Sequence, residues 1–297
     1  MNIKDIKRTY NHPLNRKRKL KSIVNYFRLG AYMRLNKNKM FIHPYIHDTK
    51  LLVGRKSASS MGQYFNSLND FDEMSLLLHF LDKNDIFVDV GANVGVFSVL
   101  ASGVSGAKSI AIEPNDENIE ILKQNIAINN LQNNINIVKC VVGEQIGEIS
   151  FTKGLDSINR VTREEDTSLE TELIKEETLD NLLKNNRPSF IKIDVEGFEL
   201  NVLNGAKNIL QEPNLKILII ETNGLSSKYQ LDENEIFNIL ENFGFSIYRY
   251  SPFERNLNKA DKKNKQENSI FIRNKDIDEV ITKIKNTQKL HINGISY

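Results

Sequence analysis

From Asp85 onward the apolar residues fall into short runs separated by longer amphipathic stretches. This is the alternation of strand and helix that builds a parallel sheet covered on both faces. Ile86–Val90 (IFVDV), Ser109–Glu113 (SIAIE), Ile135–Val142, Phe190–Val195 (FIKIDV) and Leu215–Glu221 (LKILIIE) read as five strands. Between and after them, helical spacing predicts helices over VFSVLAS, Asp116–Asn129, Glu176–Asn186, Leu200–Leu210 and Glu233–Phe243. Ile119, Leu122 and Ile126 face inward on the second of these, and Ile236, Ile239, Leu240 and Phe243 on the last. Phe245–Tyr250 and Ser269–Arg273 alternate like an antiparallel pair, joined by the charged ERNLNKADKKNKQEN, which reads as a mobile loop. The pattern predicts an α/β fold with a mostly parallel, doubly wound sheet of seven strands and helices on both faces. Upstream, residues 1–19 are polar, charged and without period, and read as flexible. From Leu20 a helical pattern places Leu20, Ile23, Val24, Phe27 and Ala31 on one face. That face either covers the body or lies on anionic lipid. The chain thus divides into a basic, partly helical extension (1–70), the α/β domain (71–274) and a helical tail (275–297).

The 297 residues are 40% apolar and 26% charged, enough to bury a sizeable core. No apolar run approaches the roughly 18 residues of a membrane span. The basic start has no apolar stretch behind it, so no secretory signal is expected. Cys140 is the single cysteine, which excludes an internal disulfide framework and a multi-cysteine zinc site, and the expected location is cytoplasmic. The net charge of +2 hides an asymmetry. Residues 1–50 carry 13 Lys/Arg against Asp5 and Asp48, a balance of +11, so the remainder carries −9. A basic arm on an acidic body points to an anionic partner for the arm, phosphate or membrane.

In doubly wound sheets ligands bind at the carboxyl ends of the strands, so those residues carry the candidate chemistry. The first strand runs into VDVGANVG, where Gly91 and Gly95 admit a close ligand and Asn93 tolerates a left-handed turn. The dinucleotide fingerprint fails, because Asn93 and Val96 stand at its second and third glycines, and a P-loop lacks its Gly-Lys-Ser/Thr ending. Asp89, just ahead of the loop, would repel a pyrophosphate but suits a ligand carrying an ammonium and a sulfonium. The sign of that charge favours S-adenosylmethionine over a dinucleotide. Glu113 ends the second strand 24 positions later, where a carboxylate can take ribose hydroxyls. The fourth strand ends in KIDVEGFEL; on an extended strand Asp194 and Glu196 would face the same side and converge on the cleft. Glu199 reads as a helix cap favoured by the dipole.

VDVGANVGVFS, AIEPN, ETLDNLL and IKIDVEGFELNVLNGA, in this order and spacing, resemble the FkbM family of S-adenosylmethionine-dependent methyltransferases. The resemblance spans roughly Asp85 to Gly224. It implies a Rossmann-like class I methyltransferase fold and O-methylation of a hydroxyl on a sugar, a polysaccharide intermediate or a related small molecule. It also implies that Asp89, Gly91, Asn93 and Gly95 form the cofactor loop, that Glu113 with Asn115 beside it holds the ribose, and that Cys140–Val142, centred on Val141, border the adenine. No acidic residue at Cys140–Val142 is available for the adenine amino group.

A sugar hydroxyl is a poor nucleophile, so a base that takes its proton would help, and Asp194 or Glu196 is the candidate base or acceptor-orienting group. Paired carboxylates also suit Mg²⁺, but His43 and His47 flank Pro44 and add nothing, and no metal site is assigned. Cys140 reads as buried packing. A nucleic-acid methyltransferase is disfavoured by acidic DVEG where an Asn/Asp-Pro-Pro-aromatic turn would hold a flipped base. A nucleotide-sugar oxidoreductase is opposed by the failed dinucleotide fingerprint, and a binding module by survival of every candidate acid. The expected partners are a small-molecule or glycan acceptor, no nucleic acid, and an anionic membrane touching the basic arm. Gly154–Asn159 and Thr162–Glu177 are expected to overhang the cleft and choose the acceptor.

Overall fold

The computed structural model describes residues 3–37, 39–154, 159–163, 165–260 and 268–297. Two helices come first, α1 (Ile3–Asn11) and α2 (Lys19–Leu35), followed by a hairpin of β1 (Phe41–Pro44) and β2 (Lys50–Val53). Helices α3 (Ala58–Asn66) and α4 (Phe71–Phe80) lead into β3 (Ile86–Val90). Then follow α5 (Val96–Gly103), β4 (Lys108–Ile112), α6 (Asp116–Ile128), β5 (Ile135–Val138) and β6 (Val141–Val142). The chain continues through β7 (Gly147–Thr152), β8 (Thr171–Glu177), α7 (Leu179–Leu182), β9 (Phe190–Ile193) and α8 (Glu199–Asn204). The last stretch holds β10 (Ile217–Glu221), α9 (Asn234–Asn242), β11 (Phe245–Ser251), β12 (Asn256–Lys259), β13 (Asn268–Arg273), α10 (Ile277–Asn286) and a small hairpin, β14 (His291–Ile292) and β15 (Ile295–Ser296).

The main sheet has the order β12-β11-β13-β10-β9-β3-β4-β5. Strands β10, β9, β3, β4 and β5 are parallel, and β13, β11 and β12 are antiparallel. The near-continuous apolar runs follow from burial on both faces. Phe87, Phe190, Ile217 and Ile219 point into one core, with α4, α5 and α10. Their neighbours Val88, Val90, Ile191, Ile193, Leu218 and Ile220 point into the other, with α8 and α9. Each such side chain contributes about 1.5–3 kcal/mol on full burial.

Five expectations are corrected. The sheet has eight strands, because β12 arises inside the charged loop after β11 and pairs along it as a solvated edge; residues 261–267 of that loop lie outside the described residues. The third predicted strand breaks at Lys139–Cys140: β5 stays in the main sheet, while β6 pairs with β8 in a separate order β6-β8-β7. Residues 171–177 (TELIKEE) form strand β8 where an overhanging loop is expected: Thr171, Leu173 and Lys175 face out, while Ile174, Glu176 and Glu177 are buried, so charge and burial do not alternate as a strand pattern predicts. Residues 3–11 form a helix where flexibility was expected, with Thr9 and, after it, Leu14 and Asn15 buried. The buried Asn15 side chain donates to the Thr9 carbonyl at 2.9 Å and to Asn66 Oδ1 at 3.0 Å, ties between nearby and distant residues that periodicity does not reveal. Finally, of the two readings of the α2 apolar face, the one in which it covers the body fails. Ser22, Tyr26 and Leu29 face the body, while Leu20, Val24 and Phe27 face out.

The tail is a helix followed by the β14–β15 hairpin, which brings Tyr297 back into the core beside Phe71, Phe253 and His79.

Candidate functional site

The peptide after β3 turns sharply under β4: the N–H groups of Gly91 and Ala92 both donate to the Ile112 carbonyl, at 2.9 and 3.0 Å. Gly91 has φ 79°, and a Cβ there would run into the Asp194 carbonyl oxygen. Glycine is therefore required by close backbone approach as well as by its dihedral. Asn93 follows at φ 50° and Gly95 caps α5 at φ 81°. The Asn93 amide Oδ1 accepts from its neighbour Val94 N–H at 2.9 Å and from Ser59 Oγ at 3.1 Å, which holds the left-handed turn.

Glu113 is buried just past β4 and is fixed before any ligand arrives. Its Oε2 accepts from Asn93 N–H at 2.8 Å, and its Oε1 from Asn115 N–H at 3.1 Å and Asn118 Nδ2 at 3.0 Å. Burial raises its pKa, and these three donors oppose that. Asp89, 1% exposed, accepts from Ser98 Oγ at 2.7 Å; burial raises its carboxyl, opposed chiefly by Lys192.

Across the cleft, β9 ends at Ile193 and the chain leaves strand geometry. Glu196 has φ 58° and Gly197 φ 102°, so Asp194 and Glu196 reach the same pocket through a tight turn and not through strand alternation. Glu199 holds that turn closed: its Oε1 accepts from Val195 N–H and Gly197 N–H, each at 3.1 Å, and burial brings it up to about 7. The Asp194 carboxylate is paired with the buried Lys192 ammonium at 2.6 Å. The Glu196 carboxyl is raised above its ordinary value by burial and by Asp194, against Arg163 and Arg160. Arg163 donates to the Glu196 carbonyl at 2.7 Å and stacks over Tyr229, 5.0 Å from the ring centre.

One cavity of about 380 Å³ collects these groups, within the range of small-ligand sites. Asp89, Gly91, Asn93, Glu113, Val141, Asp194 and Glu196 all line it. Gly95 and Asn115 do not line it; both are helix caps, Asn115 accepting from Asn118 N–H at 3.0 Å. Lys192, Arg160 and Glu221 also line the cavity and were missed by sequence reasoning. Glu221 was detectable, since it ends the apolar run LKILIIE as Glu113 ends SIAIE. Lys192 was hidden because an inward lysine in an apolar strand looks like an alternation error. Arg160 sits beside a stretch, 155–158, outside the described residues, where the Gly154–Asn159 overhang was placed. Glu221 is pushed well up by burial and the nearby Asp194. Cys140 lines the wall with its thiol pushed up to about 12 by burial, so it stays protonated and un-nucleophilic.

The sequence matches the Methyltransferase FkbM domain over residues 89–247, more than half the chain. The chain belongs to the FkbM methyltransferase family. Among relatives, it is 30% identical over 152 residues to the hexuronic acid methyltransferase AglP of Haloferax volcanii, covering 50% of this chain and 61% of that protein. It is 25% identical over 205 residues to the methyltransferase sdnD of Sordaria araneosa, covering 57% of this chain and 76% of that one. An FkbM methyltransferase structure from Methylobacillus flagellatus aligns with 17% identity and TM-score 0.45, over 85% of this chain and 60% of that one.

The cofactor of an FkbM methyltransferase is S-adenosylmethionine, and the pocket fits it. Among the described residues six carboxyl side chains (Asp70, Asp89, Glu113, Asp194, Glu196, Glu221) line the cavity against two cations (Lys192, Arg160), an acidic field suited to a ligand with a sulfonium and an ammonium. Gly91–Asn93 offer close backbone, Glu113 a pre-positioned acceptor for a ribose hydroxyl, and Cys140–Val142 an apolar wall.

Proposed function

We propose that the chain transfers a methyl group to a hydroxyl of a sugar, a polysaccharide intermediate or a related small molecule. The observation that carries this reading is that one cavity joins the cofactor-type lining (Asp89–Asn93, Glu113, Val141) to a second set of acids (Asp194, Glu196, Glu221). S-adenosylmethionine supplies an electrophilic methyl. The protein then has to seat an acceptor oxygen in line with that methyl and take its proton, positioning alone being worth several kcal/mol. Glu196 is the better base of the two candidates. Its raised carboxyl accepts a proton closer to neutral pH, whereas Asp194 Oδ2 is already engaged by Lys192. Asp194 and Lys192 orient the acceptor, and the raised Glu221 carboxyl can donate a hydrogen bond to it. A sugar acceptor is supported by the similarity to a hexuronic acid methyltransferase.

The test is methyl transfer from labelled cofactor to a panel of uronic acids and neutral sugars, with Glu196→Gln and Asp194→Asn alongside. Loss of a positioned base lowers turnover by roughly 10²–10⁴-fold, with cofactor affinity little changed. Full turnover in both variants contradicts the assignment. Because the base must be ionised, activity rises as pH climbs through the raised Glu196 pKa and falls away below it.

A further inference from the structure

Helix α2 carries its apolar side chains on the wrong side for a core helix. Leu20 is 80% exposed, Val24 54%, Phe27 50% and Leu35 85%. At 100° per residue these four, with exposed Ala31, lie within one narrow stripe running the length of the 17-residue helix. The exposed Lys21, Arg28 and Arg34 flank that stripe. The opposite face, Ser22, Tyr26 and Leu29, is the one buried against the body. The stripe is therefore an addition to a helix already packed. Water contact by four large apolar side chains in a row is unfavourable and marks an interaction surface.

The surroundings decide what covers it. Between Lys4 and Asp48 the only acid is Asp5, so residues 6–47 contain no Asp or Glu at all, while the rest of the protein carries −9. A ridge of Leu, Val and Phe edged by Lys and Arg matches a surface that is apolar beneath and anionic above. An anionic bilayer has that layering. A nucleic-acid partner would leave the apolar ridge uncovered, and a protein partner is not singled out by an acid-free stretch of this length.

We propose that the outer face of α2 docks on anionic lipid bilayers, with Leu20, Val24, Phe27 and Leu35 entering the headgroup boundary and Lys21, Arg28 and Arg34 meeting lipid phosphates. Behind α2 lies a second cavity, lined by Tyr26, Leu29, Met33, Met61 and Phe65. Ala58, Gly62 and Asn69 border both this cavity and the candidate site, so the docked helix stands one helix away from the chemistry.

The test is co-sedimentation of the full chain with phosphatidylcholine vesicles, with and without phosphatidylglycerol, accompanied by light scattering of the protein alone. The full chain pellets with the anionic vesicles and is released by salt. Leu20→Asp/Phe27→Asp abolishes pelleting. Lys21→Glu/Arg28→Glu/Arg34→Glu weakens binding to the anionic vesicles on the order of 100-fold. Unchanged S-adenosylhomocysteine binding in each variant shows that the fold survives. Failure of the wild type to pellet overturns the proposal, as does full pelleting of Leu20→Asp/Phe27→Asp. A wild-type dimer that the double variant converts to monomer assigns the face to a second copy of the chain and also overturns it.

Discussion

The two walls of the pocket are built in different ways. The wall proposed for the cofactor is made by backbone: the turn at Gly91–Gly95, clamped under Ile112 and held by Asn93 and a Glu113 carboxylate that three donors fix in advance. The opposite wall, which we propose for the acceptor, is made by side chains brought from separate places: the Asp194–Gly197 turn after β9, Glu221 after β10 and Arg160 beside the β6-β8-β7 sheet. A backbone wall tolerates little variation and presents one shape. A side-chain wall can be rewritten residue by residue while the fold persists. The cofactor class is therefore readable from the loop, and the acceptor is not.

That contrast is most easily broken at its seam, where Gly91 touches Asp194. In Gly91→Ala the new methyl meets a backbone carbonyl at a left-handed dihedral, so both walls must shift. A loss of stability of about 2–4 kcal/mol is expected, together with loss of cofactor binding, read by denaturant unfolding and calorimetry. Normal stability would show that the two walls are not in contact in solution.

The base variants come next, since they act on one wall only: Glu196→Gln is expected to separate turnover from cofactor affinity. A smaller effect of opposite kind is expected at Glu113→Ala, which removes a pre-held acceptor from the cofactor wall. Affinity for S-adenosylhomocysteine should fall by roughly 10–100-fold, the cost of about 1–3 kcal/mol for lost hydrogen bonds to a charged group.

Behind the pocket lining, next to Met74, Glu73 is buried in α4 and raised to about 8 by burial. A raised acid stabilises the fold fully below its unfolded pKa, and that contribution is lost as pH rises toward the folded value. Glu73→Gln should thus narrow the gap between the wild type's stability near pH 4.5 and near pH 8, as read by thermal melts at the two pH values. An unchanged gap would show that Glu73 reaches water. The smallest effect is expected at Asn115→Ala, about 1 kcal/mol for a lost helix cap, with cofactor affinity falling less than in Glu113→Ala. An equal fall would place Asn115 at the ligand after all.

Most of the main sheet was legible because its strands obey a single rule, apolar on both faces and acidic at the exit, as in IFVDV, SIAIE and LKILIIE. Helix α4 was not legible: FDEMSLLLHF is buried all round and so shows no period. Strand β8 was hidden because its charges do not follow the alternation: Leu173 is exposed while Glu176 and Glu177 are buried. The face of α2 could be listed from its spacing, but spacing fixes which residues share a face and leaves open which way that face points. At the site, Asp194 and Glu196 were correctly brought together for an incorrect geometric reason, the turn at φ 58° replacing strand alternation. Lys192 and Arg160 carry no local signal, since their significance lies in partners, Asp194 and Asp166, that only the fold or the neighbouring turn supplies.

The wall from Asp89 to Glu113 is expected to hold S-adenosylmethionine. Calorimetric titration of the full chain with S-adenosylhomocysteine, using NAD as the control ligand, tests it most directly. The expected result is micromolar binding of S-adenosylhomocysteine, no NAD binding, and clear weakening of the former in both Asp89→Ala and Glu113→Ala, in the latter by roughly 10–100-fold. NAD binding in its place, or S-adenosylhomocysteine binding untouched by both substitutions, would contradict it.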